Sequence, residues 1–157
     1  MIEITSATES DIPNILGLIK SLAEYEKLSH EVVATEQLLK KHLFGEKPVA
    51  EVLMAKVEEQ TVGFALFFLN FSTFLALPGI YLEDLFVKPA YRGKGIGKRL
   101  LLELVKIAKA RGYGRVEWAV LNWNEPAINF YKSLGAKPND DWTVYRIKKD
   151  QFDSLMN

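Results

Sequence analysis

A mixed α/β (α+β) fold, with helices on both faces of a central sheet, is predicted by three features of this 157-residue sequence. The passage Ile80 to Leu121 reads strand, helix, strand, and a return to the sheet through a helix makes those two strands parallel. Glu51 to Val57 and Thr61 to Phe71, parted by Glu58-Glu59-Gln60, read as a hairpin and are therefore antiparallel. Apolar stripes at helical spacing stand before and after both, so the sheet has partners to pack against.

Taken in order, the chain opens with a short strand, Ile2 to Thr5. Thr8-Glu9-Ser10-Asp11 has the form of a capping box, and with Pro13 in the first turn it starts a helix whose Ile12, Ile15, Leu16, Ile19, Leu22 and Ala23 make a core-facing stripe. Glu24-Tyr25-Glu26-Lys27 is its polar exit. A second helix begins at Thr35, presents Leu38, Leu39 and Leu43, and ends near Gly45 and Pro48. The run Phe64 to Phe68 is apolar without alternation, which places its strand centrally. Pro78-Gly79 reads as a loop into the strand Ile80 to Val87. Lys88-Pro89 stops that strand, and helical period sets in with Ile96, Leu100, Leu101, Leu104, Val105 and Ala108 on one side. Arg111-Gly112-Tyr113-Gly114 ends this helix, and Arg115 to Leu121 is a strand. Asn124-Glu125-Pro126 then opens a helix through Ile128, Phe130, Tyr131 and Leu134 to a Gly135 cap. A last strand, Thr143 to Ile147, and an amphipathic tail complete one domain over residues 1–157.

The turn between the fourth strand and the third helix carries the chemistry. Gly93, Gly95 and Gly97 have no Cβ, so backbone N–H groups can converge on an anion at the positive end of a helix dipole. Arg92, Lys94, Lys98 and Arg99 surround the same point, which suits a ligand with more than one phosphate. Neither familiar phosphate loop fits. The dinucleotide fingerprint requires glycine where Lys98 stands, and the P-loop requires one residue more between Gly93 and Gly97.

Composition narrows the partners. Lys plus Arg and Asp plus Glu both number 20, so the net charge is zero and no overall field recruits nucleic acid or an anionic membrane. The absence of Cys removes disulfides and thiolate nucleophiles, and His30 and His42, read as surface residues, make a poor metal site. No metal is expected. Without a signal-like segment or an apolar run near the roughly 18 residues of a membrane span, a cytoplasmic protein is expected.

Arg92-x-x-Gly95-x-Gly97 resembles the coenzyme A pyrophosphate loop of the GNAT superfamily of N-acetyltransferases, and the order of elements matches that fold. More narrowly, Tyr81-Leu82-Glu83-Asp84, Tyr91-Arg92-Gly93-x-Gly95-Ile96-Gly97, and Trp123-Asn124-Glu125-Pro126-Ala127-Ile128-Asn129-Phe130-Tyr131-Lys132 with Leu134-Gly135-Ala136 resemble the diamine acetyltransferases, the spermidine/spermine and thialysine enzymes. Tyr25-Glu26 fits the same family. The resemblance implies acetyl-CoA as donor, and a pantetheine arm paired with the backbone of Leu85, Phe86 and Val87, one N–H polarising the thioester oxygen. It places the pyrophosphate at Arg92, Gly93, Lys94, Gly95, Ile96, Gly97 and Lys98, and further coenzyme contacts at Asn124, Glu125, Pro126, Ala127 and Tyr131. It implies substrate contacts from Tyr25, Glu26, Glu83, Glu117, Trp118, Ala119 and Asp140, and a homodimer.

An alkyl ammonium, with a pKa of about 10.4, has no lone pair with which to attack a thioester, so a proton acceptor must stand beside it. Glu83 is the candidate. Strand alternation puts it on a face with Tyr81, Leu85 and Val87, and Asp84 on the other with Leu82 and Phe86. By residue type alone Glu83 serves equally as an ion-pair partner; the matching family glutamate contacts substrate. Tyr131, the family's proposed acid, suits a departing thiolate, although Ala127, Phe130, Tyr131 and Leu134 also fall at core spacing. Phe71-Ser72-Thr73-Phe74 carries no acid and looks like the thialysine-type members, as does Ala119-Val120-Leu121. A lysine-like amino acid or short amine is thus expected, with diamines second. Two other functions share these motifs, a non-catalytic acyl-CoA sensor and a protein or peptide acetyltransferase.

Overall fold

In the computed structural model, which describes residues 1–157, five strands lie in sequence order across one sheet. They are β1 (Ile2–Ser6), β2 (Glu51–Val57), β3 (Gln60–Ser72), β4 (Leu77–Val87) and β5 (Val116–Trp118). The first four pair antiparallel with their neighbours, and β5 joins β4 in parallel. This is the mixed sheet that the sequence predicts, with the apolar run Phe64–Phe68 on its middle strand. The chain divides into two compact units, Met1–Ala119, which holds the sheet, and Val120–Asn157.

Glu58 and Glu59 alone close the hairpin, with φ of 49° and 66°, while Gln60 already belongs to β3. A two-residue turn matched to the strand twist needs left-handed backbone at both positions, where a Cβ costs about 1 kcal/mol each. Glu59→Gly is therefore expected to stabilise the protein by about 1 kcal/mol and raise Tm by roughly 2–4 °C. A calorimetric scan showing no rise would contradict that turn geometry.

Pro78 and Gly79, expected in a loop, lie inside β4 opposite Phe71 and Asn70. The Pro78 carbonyl accepts from Gly114 N–H at 2.9 Å, so the missing Pro78 donor points toward β5 and removes no bond from the β3 ladder. A Cβ on Gly79 would come within 2.8 Å of Asn70 Oδ1.

On one face, α1 (Ile12–Tyr25) and α2 (Glu36–Phe44) bring Ile15, Leu18 and Leu43 onto Val52, Met54, Phe64 and Phe86. Removing such a side chain from water contributes about 1.5–3 kcal/mol. On the other face lies α3 (Ile96–Arg111), whose Ile96, Leu100, Leu101, Leu104 and Ala108 are buried. Val105, expected with them, is on the flank of that stripe and 46% exposed. Arg111 closes the far end by donating from both terminal nitrogens to Glu51 at 2.8 Å. No helix is long and apolar enough to cross a membrane.

Two expected strands are altered. β5 stops at Trp118 rather than Leu121, because its partner β4 departs from regular register after Leu82. Thr143–Ile147 forms no strand, and Val144 and Tyr145 are 81% and 92% exposed. Its β-rich composition acts only where a neighbouring edge accepts its backbone groups. Within Val120–Asn157 the regular pieces are α4 (Glu125–Ser133) and a short α5 (Phe152–Leu155). The expected α4 stripe is half-buried, and no residue of α4 is fully buried.

Candidate active site

The decisive irregularity is in β4. Leu66 pairs with Asp84 and Phe67 with Leu82, which leaves Glu83 as a residue without a cross-strand partner. Such a bulge reverses the alternation. Tyr81, opposite Phe68, and Glu83 are on the α1/α2 side; beyond the bulge, Asp84, opposite Leu66, and Phe86 are on that side too. Leu82, Leu85 and Val87 face α3. The expected sharing of faces is thus corrected: Glu83 parts from Leu85 and Val87, Asp84 parts from Leu82, and the two carboxylates come to one face.

Both line a cavity of about 490 Å³ between the end of α1, the following loop and the start of α2. Glu26, just past the C-terminus of α1, lines it as well, so two of the expected substrate residues meet there. Burial, then Glu83, then Glu26 push the half-buried Asp84 carboxyl up to about 7. Burial alone raises Glu26. Burial, reinforced by Glu83 and Glu117, raises the Tyr81 phenol. Several carboxylates crowded into a cleft with one raised near neutrality have an arrangement that binds a cation and exchanges its proton.

β4 also offers an edge. Lys88 N–H donates to Val62 at 2.8 Å, so by antiparallel alternation Phe86 bonds toward β3 while Leu85 and Val87 turn their groups the opposite way. There β5 has ended. Arg92 Nε donates to the Val87 carbonyl at 2.8 Å, and its guanidinium lies 4.8 Å from the Tyr25 ring centroid and 5.2 Å from that of Phe86. Arg92 therefore ties the glycine turn to the strand end and to α1. Lys94 lies 5.3 Å over Tyr91, whose hydroxyl is 3.1 Å from Gln60 Oε1.

In the turn, Gly93 and Gly95 have φ of 75° and 79°, and Gly95 caps α3. Their backbone explains them. Gly97 is different, since it is in the first turn of α3 and a Cβ there would meet only Val87 Cγ2 at 3.9 Å. Nothing in the chain's own packing requires it to be glycine.

Glu117, Trp118 and Ala119 do not line the cavity. Glu117 pairs with Tyr81 across β4 and β5, and its Oε1 is 3.2 Å from Asn70 Nδ2 and 2.9 Å from Arg115 Nε. Trp118 ends β5, and Ala119 follows it, exposed. In Val120–Asn157, buried Asn124 caps α4 by accepting from Ala127 N–H at 3.4 Å, with Pro126 in the first turn. Asn124 thus lies outside the regular turns of α4, not on a helix face shared with Tyr131. Tyr131 is half-buried beside Phe130, and Asp140 is exposed on irregular chain. Sequence reasoning missed Asp84 and the apolar wall made by Leu22, Leu28, Val32, Val33 and Leu38. The sequence offered no signal for that wall: Leu38, read on one side with Leu39 and Leu43, is exposed while those two pack on the core.

The acetyltransferase (GNAT) family model matches residues 18–136. This chain belongs to the GNAT acetyltransferase family. It is an N-acetyltransferase similar to thialysine N-epsilon-acetyltransferase of Bos taurus, at 40% identity over 163 residues, covering 97% of this chain and 95% of the relative. A second relative, L-ornithine N5-acetyltransferase of Arabidopsis thaliana, is 34% identical, with 97% and 86% covered. Among solved structures, this GNAT chain resembles an integron cassette protein from the mobile metagenome of V. cholerae, with a TM-score of 0.83, 28% identity, and 99% and 97% of the two chains covered.

Proposed function

We infer that residues 1–157 act as one acetyltransferase domain that moves the acetyl group of acetyl-CoA to the primary amine of a small substrate, a lysine-like amino acid or a short diamine. The observation that carries this reading is the Glu83–Asp84 pair brought to one face beside an edge of β4 that no strand covers. The relatives' names, thialysine and L-ornithine, support the amine class. The family match runs across the division between the two units, which supports a single domain. A homodimer belongs to the same reading and rests on resemblance, and a cytoplasmic location rests on the sequence pattern alone.

The chain's groups fit the coenzyme. Leu85 N–H and C=O and Val87 N–H are positioned to pair with an extended amide arm, and Gly93 to Lys98 with the start of α3 to hold its pyrophosphate. The missing Cβ of Gly97 agrees with close approach by such a ligand. When bound, acetyl-CoA brings an acetyl group activated as a thioester. Glu26, Glu83 and Asp84 hold the substrate ammonium, and one carboxylate of the β4 pair takes its proton directly or through water. The nitrogen lone pair would then bond to the acetyl carbon as the carbon–sulfur bond breaks, Tyr131 would give the departing thiolate a proton, and the second proton shed by nitrogen would restore the Tyr131 phenol. That last role rests on the motif around Tyr131.

The test is coenzyme A release in the presence of small amines, with the product identified by mass spectrometry as the acetylated amine. Tyr131→Phe is expected to lower turnover at least tenfold with little change in acetyl-CoA affinity. A fully active variant would remove Tyr131 from the mechanism. Calorimetric binding of acetyl-CoA without thiol release from any amine would favour the sensor.

A further inference from the structure

We propose that Arg115 is a specificity-determining residue, its guanidinium taking the carboxylate of an α-amino acid whose terminal amine reacts beside Glu83. This rests on the amine-acetyltransferase reading and adds the residue that would hold the substrate's other end. Asn70 of β3, Gly79 and Tyr81 of β4, and Arg115 and Glu117 at β5 stand on the sheet face that carries Glu83. Gly79 has no side chain, and Asn70 and Arg115 close over it: a Cβ there would come within 2.8 Å of Asn70 Oδ1 and 3.0 Å of Arg115 Cγ. Both meet Glu117. Its Oε1 accepts from Asn70 Nδ2 at 3.2 Å and lies 2.9 Å from Arg115 Nε.

The guanidinium is thereby held by its inner nitrogen. Arg111 shows the contrast, since both its terminal nitrogens donate to Glu51. Arg115 Cγ packs over Gly79 and Nε is buried, which leaves the guanidinium end to supply the exposed 38% of the side chain. A fork fixed at its root and open at its tip is preorganised for a carboxylate. Tyr81 is opposite Glu117 and two residues from Glu83, so the head of Arg115, drawn to Glu117, stands about 7 Å along β4 from Glu83. An ornithine or lysine side chain spans that distance, and the paired Phe68 and Tyr81 rings, 5.2 Å apart between centroids, give its methylenes an apolar shelf. Burial first, then Glu83 and then Glu117 raise the Tyr81 phenol, so both carboxylates are within its electrostatic reach. Arg115 and Glu117 are together neutral and complement an α-carboxylate and an α-ammonium. A diamine brings a second ammonium and no anion for Arg115.

The test uses the full chain with acetyl-CoA and two comparisons. In the natural chain, L-lysine is expected to exceed L-lysinamide, which keeps the bulk and loses the carboxylate, by at least tenfold in kcat/KM. In Arg115→Gln the ratio of kcat/KM for L-lysine to that for cadaverine is expected to fall at least tenfold, through the KM for lysine. Arg115→Lys, which keeps the charge and loses the fork, should fall in between. A merely structural Arg115 would lower both substrates together and hold the ratio. That result, or lysinamide turned over as well as lysine, would overturn the assignment while leaving the enzyme an amine acetyltransferase. The lysinamide comparison decides alone if the variants do not fold. If the folded natural chain acetylates none of these amines, the underlying reading falls and the role of Arg115 with it.

Discussion

Glu83→Gln is expected to lower kcat/KM for the amine by about 100-fold or more and to leave acetyl-CoA affinity unchanged, because it removes a proton acceptor without touching the coenzyme turn. Asp84→Asn should act through pH. The Asp84 carboxyl titrates at about 7, held up by burial first and then by Glu83 and Glu26. Below that pH Asp84 carries a proton and holds an ammonium poorly; above it Asp84 is ionised. kcat/KM should therefore climb as pH rises through about 7, and Asp84→Asn should remove that limb. Stability has the opposite sign. In the unfolded chain the same carboxyl ionises near 3.9, so the fold loses stability as pH rises from about 4 to about 7. Asp84→Asn should relieve that loss and raise Tm at pH 8. A variant with the wild-type activity profile would show that this group does not govern it.

Gly97→Ala is the second large effect, and its two readouts move apart. Alanine suits the first turn of α3 better than glycine, by about 0.5–1 kcal/mol, and its methyl would meet only Val87 at 3.9 Å. Tm should stay the same or rise. Acetyl-CoA affinity should fall tenfold or more, since the methyl occupies the space needed for close approach of the pyrophosphate. Undiminished affinity by calorimetry would sink the assignment of this turn. Gly95 is a poorer probe, as its φ of 79° would strain any replacement, and Arg92 also props Tyr25 and the end of β4.

The helices, the hairpin and the glycine turn were legible because each is written locally, as a period, a cap or a pair of turn residues. Glu83, Glu26 and the glycine turn stood out in the sequence as motifs. Asp84 was not. Leu82-Glu83-Asp84-Leu85 carries nothing that announces a bulge, since the bulge is fixed by how β3 pairs with Leu82 and Asp84, a contact between distant segments. Strand alternation applied straight through this point sent Asp84 to the wrong side. Pro78 was misread for the same reason, as only its neighbours tell which way its absent donor points. At Thr143–Ile147 the failure ran the other way: composition favoured a strand and no edge accepted it.

Glu83 is the surplus residue of its ladder, and the pairing of β4 with β5 ends at Leu82, the residue before it. Excising that one residue would let the pleat run on evenly, with Leu82 still opposite Phe67 and Asp84 still opposite Leu66, and would leave Asp84 without its companion carboxylate. The outcome would be a regular ladder carrying one carboxylate at this point where the natural strand carries two. A single codon separates a paired acid from a solitary one.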